Sequence, residues 1–255
     1  MMSSRTALIT GASSGIGAAV ARHLAAQGWT LALTGRDKAR LEDISAACSA
    51  LGAPGVQTGV VDQLDADGFA SFVNRLDRVD LFIASAGMLD GRREGSQIES
   101  AETARKVLET NLVGTVAALH IVLDRMREAG HGRIGLVSSL AGLVPLADAP
   151  AYSASKFGLL GYGMAMDEAL RGEDVRVSVI CPGYVRTAMT AQHIGQRPNE
   201  ISAEKAARLV VNAALKGRRL SGFPTPLYQL SRIAALAPAW LTRAFTRKLR
   251  FHITR

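Results

Sequence analysis

The segment that most constrains the fold is a glycine-rich turn near the N-terminus, Gly11–Gly17, which lies between two apolar stretches. Arg5–Thr10 before it is short and rich in residues that favour strands. Ala18–Gln27 after it has the pattern of a helix, and Gly28 follows as its stop signal. A strand, a glycine-rich turn and a helix in this order place a helix N-terminus where it can bind a pyrophosphate.

The three glycines of this turn each answer a different requirement. Gly11 permits the tight turn, Gly15 lets the backbone approach phosphates, and Gly17 allows the helix to pack against the strand. Their spacing, G-x-x-x-G-x-G, differs from the general G-x-G-x-x-G fingerprint. An ordinary strand-to-helix connection is therefore the alternative to a dinucleotide site.

Downstream, short apolar runs alternate with longer amphipathic ones. The predicted strands are Thr30–Thr34, Gly55–Val61, Asp80–Ser85, Arg133–Ser138 and Val175–Ile180. The predicted helices are Ala39–Leu51, Asp65–Leu76, Ala101–Glu128, Tyr152–Arg171 and Ala203–Lys216. This alternation predicts an α/β fold, a doubly wound (Rossmann-type) parallel sheet in three α/β/α layers. No linker or repeat divides the chain, so 1–255 is predicted to be a single domain.

Polar and small residues stand at the carboxyl ends of the predicted strands, where ligands bind in sheets of this kind. They are Thr10/Gly11, Gly35/Arg36, Asp62, Ser85/Gly87, Ser138/Ser139 and Cys181/Pro182. The two cysteines, Cys48 and Cys181, are too scattered to suggest a disulfide or a metal site, and we expect neither. No apolar run reaches the roughly 18 residues of a transmembrane helix.

Tyr152 and Lys156 are four residues apart on a predicted helix, so they lie on one face of it. An ammonium beside a phenol favours the phenolate, so we expect Lys156 to lower the pKa of Tyr152. A phenol tuned in this way can exchange a proton with a carbonyl or alcohol oxygen. Taken alone, the pair is equally consistent with a solvated helix surface.

Five motifs in order resemble the short-chain dehydrogenase/reductase family. They are Thr10-Gly-Ala-Ser-Ser-Gly-Ile-Gly17, Ser85-Ala86-Gly87, Asn111, Ser139 with Tyr152-x-x-x-Lys156, and Pro182-Gly183. Ser139 precedes Tyr152 by thirteen residues, which also fits the family. The resemblance extends from about Arg5 to Thr187 and weakens beyond it.

This resemblance implies an oxidoreductase that transfers a hydride between a nicotinamide cofactor and a carbonyl or secondary alcohol. Tyr152 would be the general acid/base, Lys156 its partner and a ligand of the nicotinamide ribose, Ser139 a donor to the substrate oxygen, and Asn111 the residue that positions a water. Ser138 is the rival of Ser139. The implied cofactor-binding residues are Gly11, Ser13, Ser14, Gly15, Ile16, Gly17, Arg36, Asp62, Ser85, Ala86, Gly87, Tyr152, Lys156, Pro182, Gly183, Val185 and Thr187.

The choice of cofactor depends on the end of the second strand. No acidic residue stands there to accept the ribose hydroxyls of NAD; Gly35 leaves space and Arg36 offers a guanidinium suited to a phosphate. NADP(H) is therefore favoured over NAD(H), with Asp37 on the ribose as the alternative. Asp62 would contact the adenine, or instead serve a nearby helix start. Ser85 stands where the family more often has Asn.

The C-terminal third departs from the family pattern. Residues 188–201 are predicted to be a substrate lid, and 223–255 a basic helical extension. From Lys205 to Arg255 there are eleven Lys/Arg and no Asp/Glu. We expect a terminal helix that packs on its own domain or on a dimer partner. The alternative is an interfacial helix on anionic lipid, formed by Trp240, Leu241, Phe245, Leu249, Phe251 and Ile253.

The sequence thus favours an NADP(H)-dependent oxidoreductase of a small apolar substrate, with Met88, Leu140, Leu143 and Val144 as pocket walls. The alternative is a non-catalytic NADP(H)-binding sensor or scaffold. We expect a cytoplasmic homodimer or homotetramer. The alternative location is the inner face of a membrane. No nucleic acid partner is expected.

Overall fold

The computed structural model describes residues 5–238 and 250–253. Its strands are β1 (Thr6–Thr10), β2 (Thr30–Gly35), β3 (Val56–Val60), β4 (Leu81–Ala84), β5 (Gly132–Val137), β6 (Val175–Pro182), β7 (Val185–Arg186), β8 (His193–Gly195), β9 (Ile201–Ser202), β10 (Leu220–Phe223) and β11 (Phe251–Ile253). Seven of them form one sheet in the order β10-β6-β5-β4-β1-β2-β3, and all neighbours in it are parallel. The predicted doubly wound parallel sheet is confirmed.

Helices cover both faces of this sheet. They are α1 (Gly15–Ala25), α2 (Lys38–Ala50), α3 (Ala66–Val73), α4 (Ala101–Leu108), α5 (Gly114–Glu128), α6 (Pro150–Ala169), α7 (Ala188–Ala191), α8 (Ala203–Leu215) and α9 (Thr225–Leu236). A π-helical turn, Glu109–Val113, joins α4 to α5, and a 3₁₀ turn, Leu140–Gly142, follows β5. Side-chain oxygens start five of the α-helices by accepting a backbone N–H; these caps are Asp37, Asp65, Ser100, Thr187 and Ser202.

The sheet is buried on both faces because successive side chains of a strand point to opposite sides. Leu8 and Phe82 belong to the core under α3, α5 and α6, whereas Ile9 and Ile83 belong to the core under α1 and α8. All four side chains are fully buried. Parallel strands that are covered in this way need apolar residues at nearly every position, which explains the continuous apolar runs in the sequence.

The predicted strands and helices are present, with ends that differ by a few residues. The strand β10 escaped prediction because it is short and only partly buried, and its Ser221 and Gly222 are poor strand formers. The helix predicted over Ala101–Glu128 is continuous, but the π turn interrupts its regular hydrogen bonding.

That continuous helix, Ala101–Glu128, is the one stretch among the described residues with the length and apolar character of a membrane span, with a mean hydropathy of 1.4 over its most apolar 18 residues. Half of its most apolar window is buried inside the protein. Leu119 and Val122 on α5 pack into the core against the sheet, so the apolar face of this helix is already used by the fold.

The proposed basic helical extension over 223–255 is wrong at both of its ends. Phe223 closes β10, and Phe251–Ile253 is a strand that pairs antiparallel with β8. Phe251 and Ile253 are buried, at 2% and 3% exposure, so they do not face lipid. Within this segment, Thr225–Leu236 is helical. Trp240, Leu241, Phe245 and Leu249 lie outside the described residues.

Asp80, just before β4, ties together the amino-terminal edge of the sheet. Its carboxylate accepts the Thr6 amide at 2.7 Å and the His131 ring at 2.8 Å, and it also pairs with Arg78. Burial alone would raise the pKa of Asp80, but these three partners together hold it below the ordinary value. The stabilisation is therefore present above the unfolded-state pKa and is lost as the pH falls through the lowered one.

We expect Asp80→Asn to lower the free energy of unfolding at pH 7 by about 1–3 kcal/mol, because it removes a charged acceptor from a mostly buried network. Asp174→Asn is the matched control, since Asp174 pairs with Arg133 but is 63% exposed; its cost should stay below about 1 kcal/mol. Urea unfolding at pH 7 and pH 3 measures both. Equal losses for the two variants, or a cost of Asp80→Asn that does not shrink at pH 3, would contradict this assignment.

Candidate active site

The glycine-rich turn between β1 and α1 packs directly on the turn after β4. Gly11 has a positive φ of 66°, and a Cβ there would lie 2.7 Å from Cα of Ala86. A side chain at Gly17 would meet the carbonyl of Gly11. Ser14 begins α1 without capping it through its side chain, which leaves the first amides of the helix to other partners. The turn thus brings a helix N-terminus to the cleft.

The turn after β4 is held by two hydrogen bonds to Thr10. The Ser85 hydroxyl donates to the Thr10 carbonyl at 2.5 Å, and the Ala86 amide donates to its hydroxyl at 3.2 Å. Ser85 therefore holds the turn after β4 against β1, and the longer side chain of an Asn could not make this hydrogen bond with the same geometry. Gly87 continues along the cleft floor, where an added Cβ would be 3.1 Å from Oδ1 of Asn111.

The end of β2 presents Arg36 to the cleft and Asp37 to the helix that follows. Asp37 accepts the amide of Arg40 at 3.1 Å as the cap of α2, and it does not line the cleft. The Arg36 guanidinium lines the cleft, is 66% exposed and lies 3.6 Å from the Asp62 carboxylate. Asp62 accepts the Leu64 amide at 3.0 Å, so it stabilises a turn and starts no helix.

Tyr152, Lys156 and Ser139 meet at the carboxyl ends of β5 and β6. Ser139 shares the walls of the cleft with Tyr152 and caps the 3₁₀ turn by accepting the Ala141 amide at 3.1 Å. Lys156 Nζ donates to the Val137 carbonyl at 3.0 Å and lies 5.7 Å from the centre of the Tyr152 ring. Ser138, the rival of Ser139, donates to the Lys156 carbonyl at 2.9 Å and so anchors α6.

The pKa values of the pair are governed by burial. Burial raises the pKa of Tyr152 above its ordinary value, against the opposite influence of the Ser139 hydroxyl. Burial lowers the pKa of Lys156 to about 8. The expected lowering of the Tyr152 pKa by Lys156 is therefore wrong for this structure, because loss of solvation is the largest influence on the phenol. At neutral pH the phenol carries its proton, and the amine is still largely charged.

Asn111 lies in the π turn and is fully buried. Its amide exchanges two hydrogen bonds with the backbone of Met88, at 2.8 and 2.9 Å, and donates to the Ser155 hydroxyl at 3.2 Å. The side chain is thus a satisfied core amide that ties β4, the π turn and α6 together. Any water contact of Asn111 would have to involve its backbone.

The segment after β6 closes the cleft from the other side. Pro182, Gly183, Val185 and Thr187 all line it. Thr187 caps α7 through a capping box with Thr190, and its methyl group would be 3.5 Å from a Cβ on Gly15. The predicted lid, 188–201, contains α7 and β8 rather than an irregular loop.

A second, apolar cavity of about 100 Å³ adjoins the cleft and shares Ser139, Tyr152, Gly183, Met189 and Thr190 with it. Of the predicted pocket walls, Leu140 and Val144 line this cavity, Met88 lines the cleft, and Leu143 lies in the core beside them. The remaining lining residues were not predicted, because they come from several segments that are separated along the chain. They are Leu89, Ala141, Leu146, Tyr184, His193, Leu227, Ser231 and Phe251.

All of the predicted dinucleotide contacts line one cleft of about 240 Å³, from Gly11 after β1 to Thr187 after β7. Its floor is the backbone of glycine-rich turns, which suits a group that must lie flat against the main chain. Asn111, which was predicted as a catalytic residue, lies behind the cleft wall and does not line the cleft. The residues present therefore fit a dinucleotide. Among residues 5–238 and 250–253, no cluster of His, Cys, Asp and Glu could hold a metal ion.

Comparison with known proteins places this geometry in a family. The model of the family described as short chain dehydrogenase matches residues 5–197. An uncharacterized oxidoreductase of Myxococcus xanthus is 35% identical over 253 residues, which is 98% of this chain and 99% of that protein.

Solved structures agree. A short chain dehydrogenase from Mycobacterium paratuberculosis bound to NAD has a TM-score of 0.78 at 24% identity, over 88% of this chain and 98% of that one. A variant of an actinorhodin polyketide ketoreductase with NADPH has a TM-score of 0.77 at 25% identity, over 88% and 97%. The two neighbours thus differ in the cofactor that they hold. The chain belongs to the short chain dehydrogenase family and is an oxidoreductase.

Proposed function

We propose that this oxidoreductase transfers a hydride between NADP(H) and the carbonyl or secondary alcohol group of a small apolar compound. The observation that carries the proposal is the position of the Tyr152 phenol. Both Tyr152 and Ser139 line the dinucleotide cleft and the apolar cavity at once. A substrate oxygen held by these two hydroxyls would have its carbon in the adjoining cleft.

The residues divide the work of reduction among them. The bound nicotinamide supplies the hydride. Tyr152, protonated at neutral pH because of its raised pKa, gives its proton to the substrate oxygen as a general acid. Ser139 donates a hydrogen bond to the same oxygen and stabilises the charge that develops there. Lys156, held by the Val137 carbonyl, offers its remaining N–H donors towards the cleft and favours the phenolate that Tyr152 leaves.

Preference for NADP(H) is supported by the end of β2. Arg36 faces the cleft with an exposed guanidinium, whereas Asp37 is used as a helix cap and does not line the cleft. A 2′-phosphate would compete with Asp62, 3.6 Å away, for this guanidinium. Such a loose, exposed pair contributes little, so it can be exchanged for a bidentate phosphate contact at small cost.

Two further readings concern roles outside catalysis. A non-catalytic NADP(H)-binding sensor or scaffold would need only the cleft; the Tyr152 and Ser139 hydroxyls at the border of a second cavity favour the enzyme. We also propose a cytoplasmic homodimer or homotetramer that contacts a membrane through the basic residues after Lys205. Light scattering measures the oligomeric state. Co-sedimentation with anionic vesicles, with and without residues 238–255, measures the membrane contact.

The proposal is tested by following NADPH absorbance over a panel of ketones, aldehydes and secondary alcohols. We expect turnover with apolar carbonyl compounds and more turnover with NADPH than with NADH. Absence of turnover across the panel, together with normal NADPH binding, would favour the sensor instead.

Tyr152→Phe should lower kcat by roughly 10²- to 10⁴-fold, because only the proton donor is removed. NADPH affinity, measured by fluorescence titration, should stay within about threefold, since the ring still packs in place. Tyr162→Phe is the matched control: Tyr162 lies on the same helix and bonds His120 away from the cleft. Retained activity in Tyr152→Phe would refute the assignment.

Arg36→Ala should weaken NADPH binding by roughly 10- to 100-fold, the value of a lost charge-assisted contact, and leave NADH binding nearly unchanged. Arg40→Ala removes a guanidinium from the same region that pairs with Asp37 and does not line the cleft. It should alter neither affinity. An equal effect of Arg36→Ala on both cofactors would exclude a phosphate contact.

A further inference from the structure

The short strand β11 reaches the candidate active site although it lies far from it in the sequence. Phe251–Ile253 pairs with β8 of the predicted lid, with Phe251 opposite Gly195 and Ile253 opposite His193. The buried cluster of Ala149, Phe251 and Ile253 also packs against Tyr152. Phe251 itself lines the apolar cavity that contains Tyr152 and Ser139.

A buried carboxylate anchors this strand. Asp148 is 1% exposed and accepts the Phe251 amide at 2.9 Å and the Arg250 guanidinium at 2.8 Å. Arg92 donates to Asp148 at 2.8 Å and to the Phe251 carbonyl at 2.9 Å. Both backbone polar groups of Phe251 are therefore tied to the body of the domain, and its ring has a fixed position.

The ring of Phe251 stacks on His193, with centres 4.1 Å apart and planes 17° from parallel. Tyr184 contacts the same His193 ring edge-on, with ring centres 5.2 Å apart. Burial lowers the pKa of His193, and Arg197 adds to the effect, so this imidazole is neutral at pH 7. The three rings thus form an uncharged aromatic wall of the cavity.

We propose that Phe251 is a specificity-determining residue of this oxidoreductase. Its fixed ring limits the size of the apolar group attached to the reacting carbonyl carbon, and it thereby selects compact ketones and secondary alcohols over bulky ones. The inference rests on the proposed function, because it assigns the apolar cavity to the substrate. The polar members of the cavity wall are few, which accords with an apolar substituent.

The test compares acetophenone with 4-tert-butylacetophenone. We expect Phe251→Ala to raise the ratio of kcat/KM for the bulky over the compact ketone by roughly 10-fold or more, since a few methylene groups of pocket space are worth that much. Phe251→Trp should shift the ratio the other way. The same two ketones are also titrated into the NADPH-loaded Tyr152→Phe variant, with and without Phe251→Ala, so that binding is read without turnover.

Ile253→Ala is the matched control, because Ile253 is buried on the same strand but does not line the cavity. It should lower the melting temperature and leave the ratio unchanged. An unchanged ratio in both Phe251 variants, by turnover and by binding, would overturn the proposal, as would an equal shift in Ile253→Ala. Failure of the proposed function is distinguishable: the wild type would then reduce neither ketone and Tyr152→Phe would change no rate.

Discussion

The structure depends on the position of β1 between β2 and β4. The chain leaves β1 for β2 and β3 on one side and then returns to β4 on the other, so the connections diverge above the carboxyl end of β1. A crevice at this point is unavoidable in a doubly wound sheet. Gly11 and Ala86 are in close contact there, and this contact brings the two turns together to form the cleft floor. Every candidate cofactor contact is arranged around that junction.

The chemistry of the site follows from how little water reaches it. Tyr152 keeps its proton and Lys156 loses part of its affinity for one, because burial disfavours the charged form of each. Ser139 is oriented by the start of a 3₁₀ turn, and Ser138 is used to anchor α6. Two adjacent serines thus have different tasks, and the backbone alone decides which of them faces the cavity.

The sequence allowed the sheet, most helices and nearly the whole cleft to be predicted, because these depend on local patterns and on residues at strand ends. Among the residues of the apolar cavity, the sequence pointed to Ser139, Leu140, Val144, Tyr152 and Gly183, which lie after β5 or β6 or on α6. His193 and Phe251 were missed because their meeting depends on pairing between distant strands, and Phe251 was expected in a terminal helix. A two- or three-residue strand leaves no periodicity in the sequence. The direction of the Tyr152 pKa shift failed for a related reason, since burial is a tertiary property.

The π turn at Glu109–Val113 has a consequence for how this helix can change. A π turn contains one residue more than the α-helical path would need. Deleting that residue would rotate everything after it by about 100°, which would turn Leu119 and Val122 away from the sheet. Because of this extra residue, the same continuous helix can direct Asn111 towards Met88 and also turn the apolar face of α5 towards the core.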